Sequence, residues 1–276
     1  MKLTPALCSV HTHSTCCDGK DSLETMAAAA CAAGVKYFGA SCHSQMPVVS
    51  DNGFVLPKDP TVYRERVLAL REEYAGRMEV LLGLEWDRYS HMDRTGFDYW
   101  IGSVHYQKGA DGICYDADDL LERYEDCPHA LNTDDALAMA ENYFAQVAWV
   151  ASQKPTILGH IDQIVKLNEG NRFFDEACDR YRRAALDALH AADPKETLLE
   201  INTGDVSRGY RKRPYPAPFL LKEWKDMGGR VIITADSHRA ETILFGYREA
   251  AEVAKAAGFT RSTLLTLSGQ VECALD

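Results

Sequence analysis

His11-Thr12-His13-Ser14-Thr15-Cys16-Cys17-Asp18-Gly19 is the stretch whose reading decides the fold. It follows the short apolar run Leu7-Cys8-Ser9-Val10, which reads as a buried first strand. Residues two apart on a strand face the same way, so His11 and His13 project side by side and Thr12 points away. Two neutral imidazoles on a rigid strand make half of a metal site. Asp18, in a turn with Gly19, brings a carboxylate oxygen to the same place. The alternative is that each histidine only satisfies a local hydrogen bond. Recurrence favours the metal reading, because more His, Asp and Glu residues sit where apolar runs stop.

Working outward, residues 37–42 read as a second strand ending at His43. Residues 78–84 lead to Glu85, 99–104 to His105 and 155–159 to His160. A sixth strand covers 197–202. A seventh, 230–235, runs into Asp236-Ser237-His238, which repeats the same-face spacing of His11-Thr12-His13. Six of the nine histidines in the chain thus lie at strand ends. His91, His129 and His190 fall in loops or at a helix end and read as solvated surface. Asp18, Glu85 and Asp236 add carboxylates to the candidate ligands.

Helical patterns separate most of these strands. The first has Asp21 as a candidate N-cap with Glu24 three residues on, then an alanine-rich run stopped by Gly34. Others are expected over 61–74, 133–152, 174–192, 217–227 and 247–257, with a strand-like segment at 264–267. The link between strands three and four is too short for a crossover helix. Residues 44–60, rich in Pro and Gly, read as a loop over the mouth of the site. Residues 107–133 read as a polar insertion with a short helix near 117–124. No linker divides the chain, so 1–276 reads as one α/β domain. Seven strands with polar ends predict a closed, distorted (β/α) barrel with its site at the C-terminal rim. An open doubly wound sheet is the alternative, but it spreads adjacent strands about 4.8 Å apart and separates the ligands.

Composition narrows the chemistry. A net charge of −11 over 276 residues argues against a nucleic-acid backbone as partner. Without a long apolar run, no membrane span is expected, and the first residues lack the apolar segment of a signal peptide. Nine scattered cysteines with no Cys-X-X-Cys are expected to be reduced thiols in a cytoplasmic protein. Nine nitrogen and oxygen donors exceed the needs of one ion, and imidazole with carboxylate suits zinc, iron or manganese. Open positions beside two or three clustered divalent ions fit hydrolysis, where one ion makes hydroxide and another holds a phosphoryl oxygen. Arg208, Arg211, Lys212 and Arg213, after the sixth strand, offer a phosphate clamp or else form a solvated basic loop.

The order His-X-His-Ser-Thr-X-X-Asp-Gly, strand-end His, strand-end Glu, Gly-Ser-Val-His, Gly-His-Ile-Asp and Ala-Asp-Ser-His resembles the polymerase-and-histidinol-phosphatase (PHP) family over residues 11–238. Gly102-Ser103-Val104-His105 and Glu200-Ile201-Asn202-Thr203 most resemble its stand-alone histidinol-phosphatase branch. The resemblance implies a distorted seven-stranded (β/α) barrel with a trinuclear metal centre. It implies that His11, His13, Glu85 and Asp236 hold a first metal, and that Glu85 bridges to a second completed by His105 and His160. Asp18, His43 and His238 would hold a third. A hydroxide bridging the first two metals would attack phosphorus without a covalent phosphoenzyme. The branch also places a phosphate-binding arginine in the loop after strand six, here Arg208. It departs from the branch at Cys42, where an acidic residue is common. The implied substrate is histidinol phosphate, its ammonium and imidazole meeting residues such as Asp51, Asp87 or Trp86. Another phosphoester, such as a nucleotide or sugar phosphate, and a non-catalytic metal-binding regulatory domain are the other readings.

Overall fold

The computed structural model describes residues 3–46, 60–109, 112–117 and 135–275. In chain order the strands are β1 (Cys8–Ser9), β2 (Tyr37–Ala40), β3 (Glu79–Asp87), β4 (Tyr99–Ser103), β5 (Tyr106–Lys108), β6 (Cys114–Asp116), β7 (Ile157–Leu158), β8 (Leu198–Asn202), β9 (Arg230–Thr234), β10 (Arg261–Thr266) and β11 (Gly269–Ala274). Seven of them form one sheet in the order β1-β2-β3-β4-β7-β8-β9, and every pairing is parallel. Beyond the ends of β1 and β9, Thr12 bridges Ser237 in parallel. There Ser237 N donates to His11 O at 3.1 Å and His13 N to Ser237 O at 2.8 Å. The sheet thus curls into a nearly closed barrel, and the closing contact lies at the opening histidine motif.

Strand pleating sorts the inward side chains into layers. Leu81, Tyr99, Ile101, Ile157, Leu198 and Ile232 share one apolar cluster with Cys8 and Val10. Further along the same strands, at even spacing, the inward positions become Glu85, Ser103, Glu200 and Thr234. Gly83, between Leu81 and Glu85, has no side chain for a reason. A Cβ there would sit 2.2 Å from the Tyr99 ring, whose hydroxyl crosses to donate to Val10 O at 2.5 Å. At the opposite end from the site, the antiparallel hairpin β10–β11 puts Leu264, Leu265 and Cys273 into the same apolar cluster. The strand-like segment expected at 264–267 is therefore one arm of a hairpin.

Helices cover the outside. α1 (Leu23–Ala32) and α2 (Pro60–Glu73) pack Leu23, Met26, Ala27 and Val67 against Phe38, Val80 and Leu82. α3 (Ala136–Ser152), α4 (Asp179–His190), the short α5 (Gly204–Ser207), α6 (Pro218–Asp226) and α7 (Tyr247–Ala256) follow. Phe144, Tyr181, Leu220 and Trp224 meet Leu158, Leu199 and Ile233 in the larger cluster. No long helix joins β3 to β4, as their spacing predicts.

Three boundaries differ from the sequence expectation. Ser22, not Asp21, caps α1, its Oγ accepting from Thr25 N at 3.1 Å. Asp21 instead accepts from Ala240 N at 2.8 Å and ties the first motif to the last. The helix expected over 174–192 is Asp179–His190, because the Asn168 side chain captures the amides of Phe173 and Phe174 at 2.9 and 3.2 Å and holds a turn there. The helix expected from 133 starts at Ala136, with Asp135 as its cap. The segment expected as an insertion opens as the hairpin β5–β6. The helix expected near 117–124, apart from Ala117, and most of the loop 44–60 lie outside the described residues. Among the described residues, no helix is long and apolar enough to cross a membrane.

Candidate metal centre

Glu85, at the end of β3, is the hub of the C-terminal rim, and its side chain is 1% exposed. Its Oε1 lies 2.9 Å from His160 Nε2, 3.3 Å from His105 Nε2 and 3.4 Å from His11 Nε2. Its Oε2 lies 2.9 Å from His43 Nδ1 and 3.3 Å from His13 Nε2. These imidazoles arrive from beyond β1, β2, β4 and β7. A second carboxylate, Asp236, places Oδ1 at 3.3 Å from His13 Nε2, 3.5 Å from His11 Nε2 and 3.6 Å from His238 Nδ1. The third, Asp18, lies 3.0 Å from His238 Nε2, 3.4 Å from His13 Nδ1 and 3.6 Å from His43 Nε2. All nine candidates from the sequence therefore meet. They form four overlapping groups, His13/Asp18/His43/His238, His11/His13/Asp236, His11/Glu85/His160 and His43/Glu85/His105, with donor atoms of each group within 4.8 Å of one another.

Local backbone explains the convergence. The His11 and His13 rings lie side by side, 5.3 Å between centroids, while Thr12 turns away and donates to Gly39 O at 2.7 Å. Asp236 and His238 reach the site differently from the expected extended spacing. The strand ends at Thr234, and Asp236 takes a left-handed φ of 46°. Aspartate tolerates that region better than most residues, and the kink turns its carboxylate inward.

A polar layer beneath holds the imidazoles. Glu200 Oε1 lies 2.5 Å from His11 Nδ1 and accepts from Thr234 Oγ1 at 2.7 Å. Glu200 Oε2 accepts from His160 N at 2.7 Å and Asn202 Nδ2 at 3.0 Å. Asp87 Oδ2 accepts from His105 N at 2.8 Å and lies 3.2 Å from its Nδ1. Ser103 Oγ donates to Glu85 Oε1 at 2.8 Å. A carboxylate behind a ligating histidine fixes its tautomer and ring orientation. Sequence reading did not give Glu200 this role. The available signal was a glutamate inside a strand that is otherwise apolar up to Asn202.

Burial and charge pull in opposite directions here. Burial disfavours the His11 imidazolium, but Glu200, Asp236 and Glu85 outweigh it and push its pKa up to about 10. His43, buried but beside Glu85 and Asp18, is pushed up to about 9. Burial works against ionised Glu85 and Asp236, yet the surrounding imidazoles, and Arg208 for Asp236, hold both well below the usual carboxylate range. His238 is lowered by burial and by its neighbour His13. The carboxylates thus demand positive charge at their centre.

Divalent cations fit this donor set. His11 Nε2, His13 Nε2, Asp18 Oδ1 and Glu85 Oε2 are buried and find no hydrogen-bond partner among the described residues. Buried polar atoms are rarely left so without an ion or a water to meet them. Hard carboxylate and borderline imidazole donors suit first-row divalent ions.

Of the four basic residues after β8, only Arg208 turns to the site. Its Nε donates to Asp205 Oδ1 at 3.0 Å and its Nη2 to Asp236 Oδ2 at 3.1 Å, and Nη1 lies 3.1 Å from His238 Nδ1. Gly204 permits that approach, since a Cβ there would sit 2.8 Å from both Arg208 Nη2 and Asp236 Oδ2. Arg211 is buried and donates to Val165 O at 2.7 Å, Arg213 pairs with Glu176 at 2.7 Å, and exposed Lys212 lies near Glu169. Above the donor cluster opens a cleft of about 810 Å³ bordered by Lys20, Tyr106, Asp116, Arg208 and Tyr210. Trp86 does not line it. Its side chain points outside the barrel, stacking on Trp149 and edge-on to Trp100. Asp87 does line it, but is engaged with His105. Asp51 and His129 lie outside the described residues. His91 is exposed and His190 pairs with Glu223 at the surface, as expected of solvated histidines.

Comparison with known proteins accords with this geometry. Residues 9–204 match the PHP domain family model. A probable histidinol-phosphatase of Deinococcus radiodurans is 28% identical over 258 residues, 88% of this chain and 91% of that protein. A crystal structure of histidinol phosphate phosphatase from Lactococcus lactis, complexed with zinc, L-histidinol and phosphate, superposes with a TM-score of 0.69 at 19% identity, covering 95% of this chain and 98% of that one. A putative histidinol phosphatase from Listeria monocytogenes gives 0.68 at 17% identity, covering 87% and 98%. These two structures share the fold. With the family match spanning more than half of its length, the chain belongs to the PHP family.

Proposed function

We propose that this chain is a metal-dependent phosphomonoesterase that hydrolyses histidinol phosphate to histidinol and phosphate. The observation that carries the reading is the convergence of nine nitrogen- and oxygen-donor side chains at one rim, with buried ligand atoms left without a hydrogen bond. The relative named a probable histidinol-phosphatase, aligned over most of both chains, supports the substrate. The neighbour complexed with zinc supports zinc among the ions, and iron or manganese would suit the same donors. We read the whole chain as one barrel domain with 107–133 as an insertion at its mouth. The scattered thiols, free at every described position, support a cytoplasmic setting.

In this reading His11, His13, Glu85 and Asp236 would hold one ion, Glu85, His105 and His160 a second, and Asp18, His43 and His238 a third. Such ions, when bound, polarise phosphoryl oxygens and lower the pKa of water enough to furnish a nucleophile near neutrality. The chain's own residues do the rest. Glu200 and Asp87 lock the His11 and His105 rings in one tautomer. Arg208, fixed by Asp205 at the rim of the cleft, presents its guanidinium to the phosphoryl group. Asp116 and Tyr106, from the β5–β6 hairpin, give the far wall an acid and a ring suited to an ammonium and an imidazole.

The test is a comparison of phosphate esters with metal-replete protein. Histidinol phosphate should exceed p-nitrophenyl phosphate, nucleoside monophosphates and sugar phosphates in kcat/KM by orders of magnitude. Equal turnover of all esters would overturn the substrate, and inertness toward all of them would overturn the enzyme.

A further inference from the structure

Three thiols that the proposed hydrolysis does not use border the ligand cluster. Cys16 and Cys17 immediately precede Asp18, and Cys42 immediately precedes His43. Cys42 is 1% exposed, and Ser14 Oγ, which stands beside its Sγ, also accepts from Cys16 N at 3.2 Å, so one hydroxyl joins the two segments. The two vicinal cysteines are half-buried and pack against the same apolar cluster that contains Cys42. Cys42 Sγ lies 3.5 Å from Ser14 Oγ, and Cys17 Sγ lies 3.4 Å from His13 Nδ1. Cys16 Sγ accepts from Arg66 Nη1 at 3.2 Å, which ties it to α2.

We propose that Cys17 and Cys42 are an oxidative modification site, closing to a disulfide on reaction with a small-molecule disulfide such as oxidised glutathione and drawing Asp18 and His43 out of register. Cys17 Sγ, the more accessible of the pair, attacks one sulfur of the small disulfide. The old S–S bond breaks, and the departing glutathione thiolate takes the proton that Cys17 lost. Cys42 Sγ then attacks the Cys17 sulfur of the mixed disulfide. The second glutathione leaves with the Cys42 proton. The two protein sulfurs give up two electrons, and the small disulfide receives them. A Cys16–Cys17 bond would need a strained ring between neighbours, so Cys42 is the better partner.

The consequence follows from connectivity. An S–S bond is about 2.05 Å long, far inside a non-bonded sulfur contact, so the segments carrying Cys17 and Cys42 must draw together. Each segment carries, one residue later, a member of the Asp18/His43/His238 group. The disulfide stands on the thiol arrangement alone. Its effect on metal retention rests on the ligand assignment proposed above.

The experiment incubates metal-loaded protein with oxidised glutathione, then maps disulfides by mass spectrometry of a non-reducing digest. Bound metal after desalting and turnover before and after dithiothreitol are measured on the same samples. The expected result is a Cys17–Cys42 cross-linked peptide, loss of bound metal and a severalfold fall in turnover. Dithiothreitol with fresh metal should restore both. Cys16→Ser should keep the cross-link, whereas Cys42→Ser should lose it and retain metal under oxidant. Should the Cys42 variant fail to fold, Cys17→Ser tests the same bond. A stable glutathione adduct without an internal disulfide, or a bond from Cys16, overturns the site. A Cys17–Cys42 bond with metal fully retained upholds the site and overturns its effect on the ligands.

Discussion

The two ends of the barrel are built from the same strands and differ in everything else. At the N-terminal end the inward positions Leu81, Ile101, Leu198 and Ile232 meet Leu264 and Leu265 of the closing hairpin in a dry cluster. At the C-terminal end, two or four residues further along, the inward positions are Glu85, Ser103, Glu200 and Thr234, beneath a ring of histidines. The floor gains by burying hydrocarbon. The rim buries carboxylates and imidazoles, which is costly unless ions and hydrogen bonds meet them. Stability is thus concentrated at one end of each strand and chemistry at the other, so substitutions at the two ends should separate the two properties.

The sharpest break should come from Glu85→Gln. It removes the charge that five imidazoles face, and turnover should fall by on the order of 10²–10³-fold, the scale of a lost electrostatic partner of the transition state. Circular dichroism should still show the folded barrel, and a variant with full activity would refute the hub role. The complementary change is Leu264→Ala at the floor. It should cost about 2–5 kcal/mol in chemical denaturation while leaving turnover per folded molecule unchanged. A loss of kcat without a loss of stability would contradict the separation.

Smaller effects probe the layer between. Glu200→Gln should weaken metal affinity by about 10–100-fold, measured by competition with a chelator, because His11 loses the carboxylate behind it. Unchanged affinity would mean that the layer serves packing alone. Arg208→Lys keeps the charge but loses the planar fork, so KM for the phosphoester should rise by about tenfold with kcat changed less. If KM is unmoved, Arg208 acts only as the partner of Asp236.

Much of the site was legible because a strand end is legible. An apolar run that stops at a histidine or carboxylate states both where the strand ends and what it presents. That logic located His11, His43, Glu85, His105 and His160, and it foresaw the parallel order of the strands. It failed where side chains redirect the backbone. The Asn168 side chain shortens the helix to Asp179–His190 by capturing two amides, an interaction with no periodic signature. Ser22 displaces Asp21 as helix cap because Asp21 is claimed by Ala240, more than two hundred residues away in the chain. Trp86 looked available to a substrate, yet the pleat places it on the outer face with Trp100 and Trp149.

Residue order by itself determined the strand-and-helix alternation, the donor set at the strand ends and the kind of ion that set would suit, since these depend on local pattern and on ligand chemistry. Only the tertiary structure decided that Glu85 is the hub, that Glu200 and Asp87 stand behind the histidines, that one arginine of four faces the cleft and that the thiols beside Asp18 and His43 meet at one apolar cluster. Those facts depend on how far strands curl and which segments a closed ring brings into contact, and chain order carries no measure of distance between its strands.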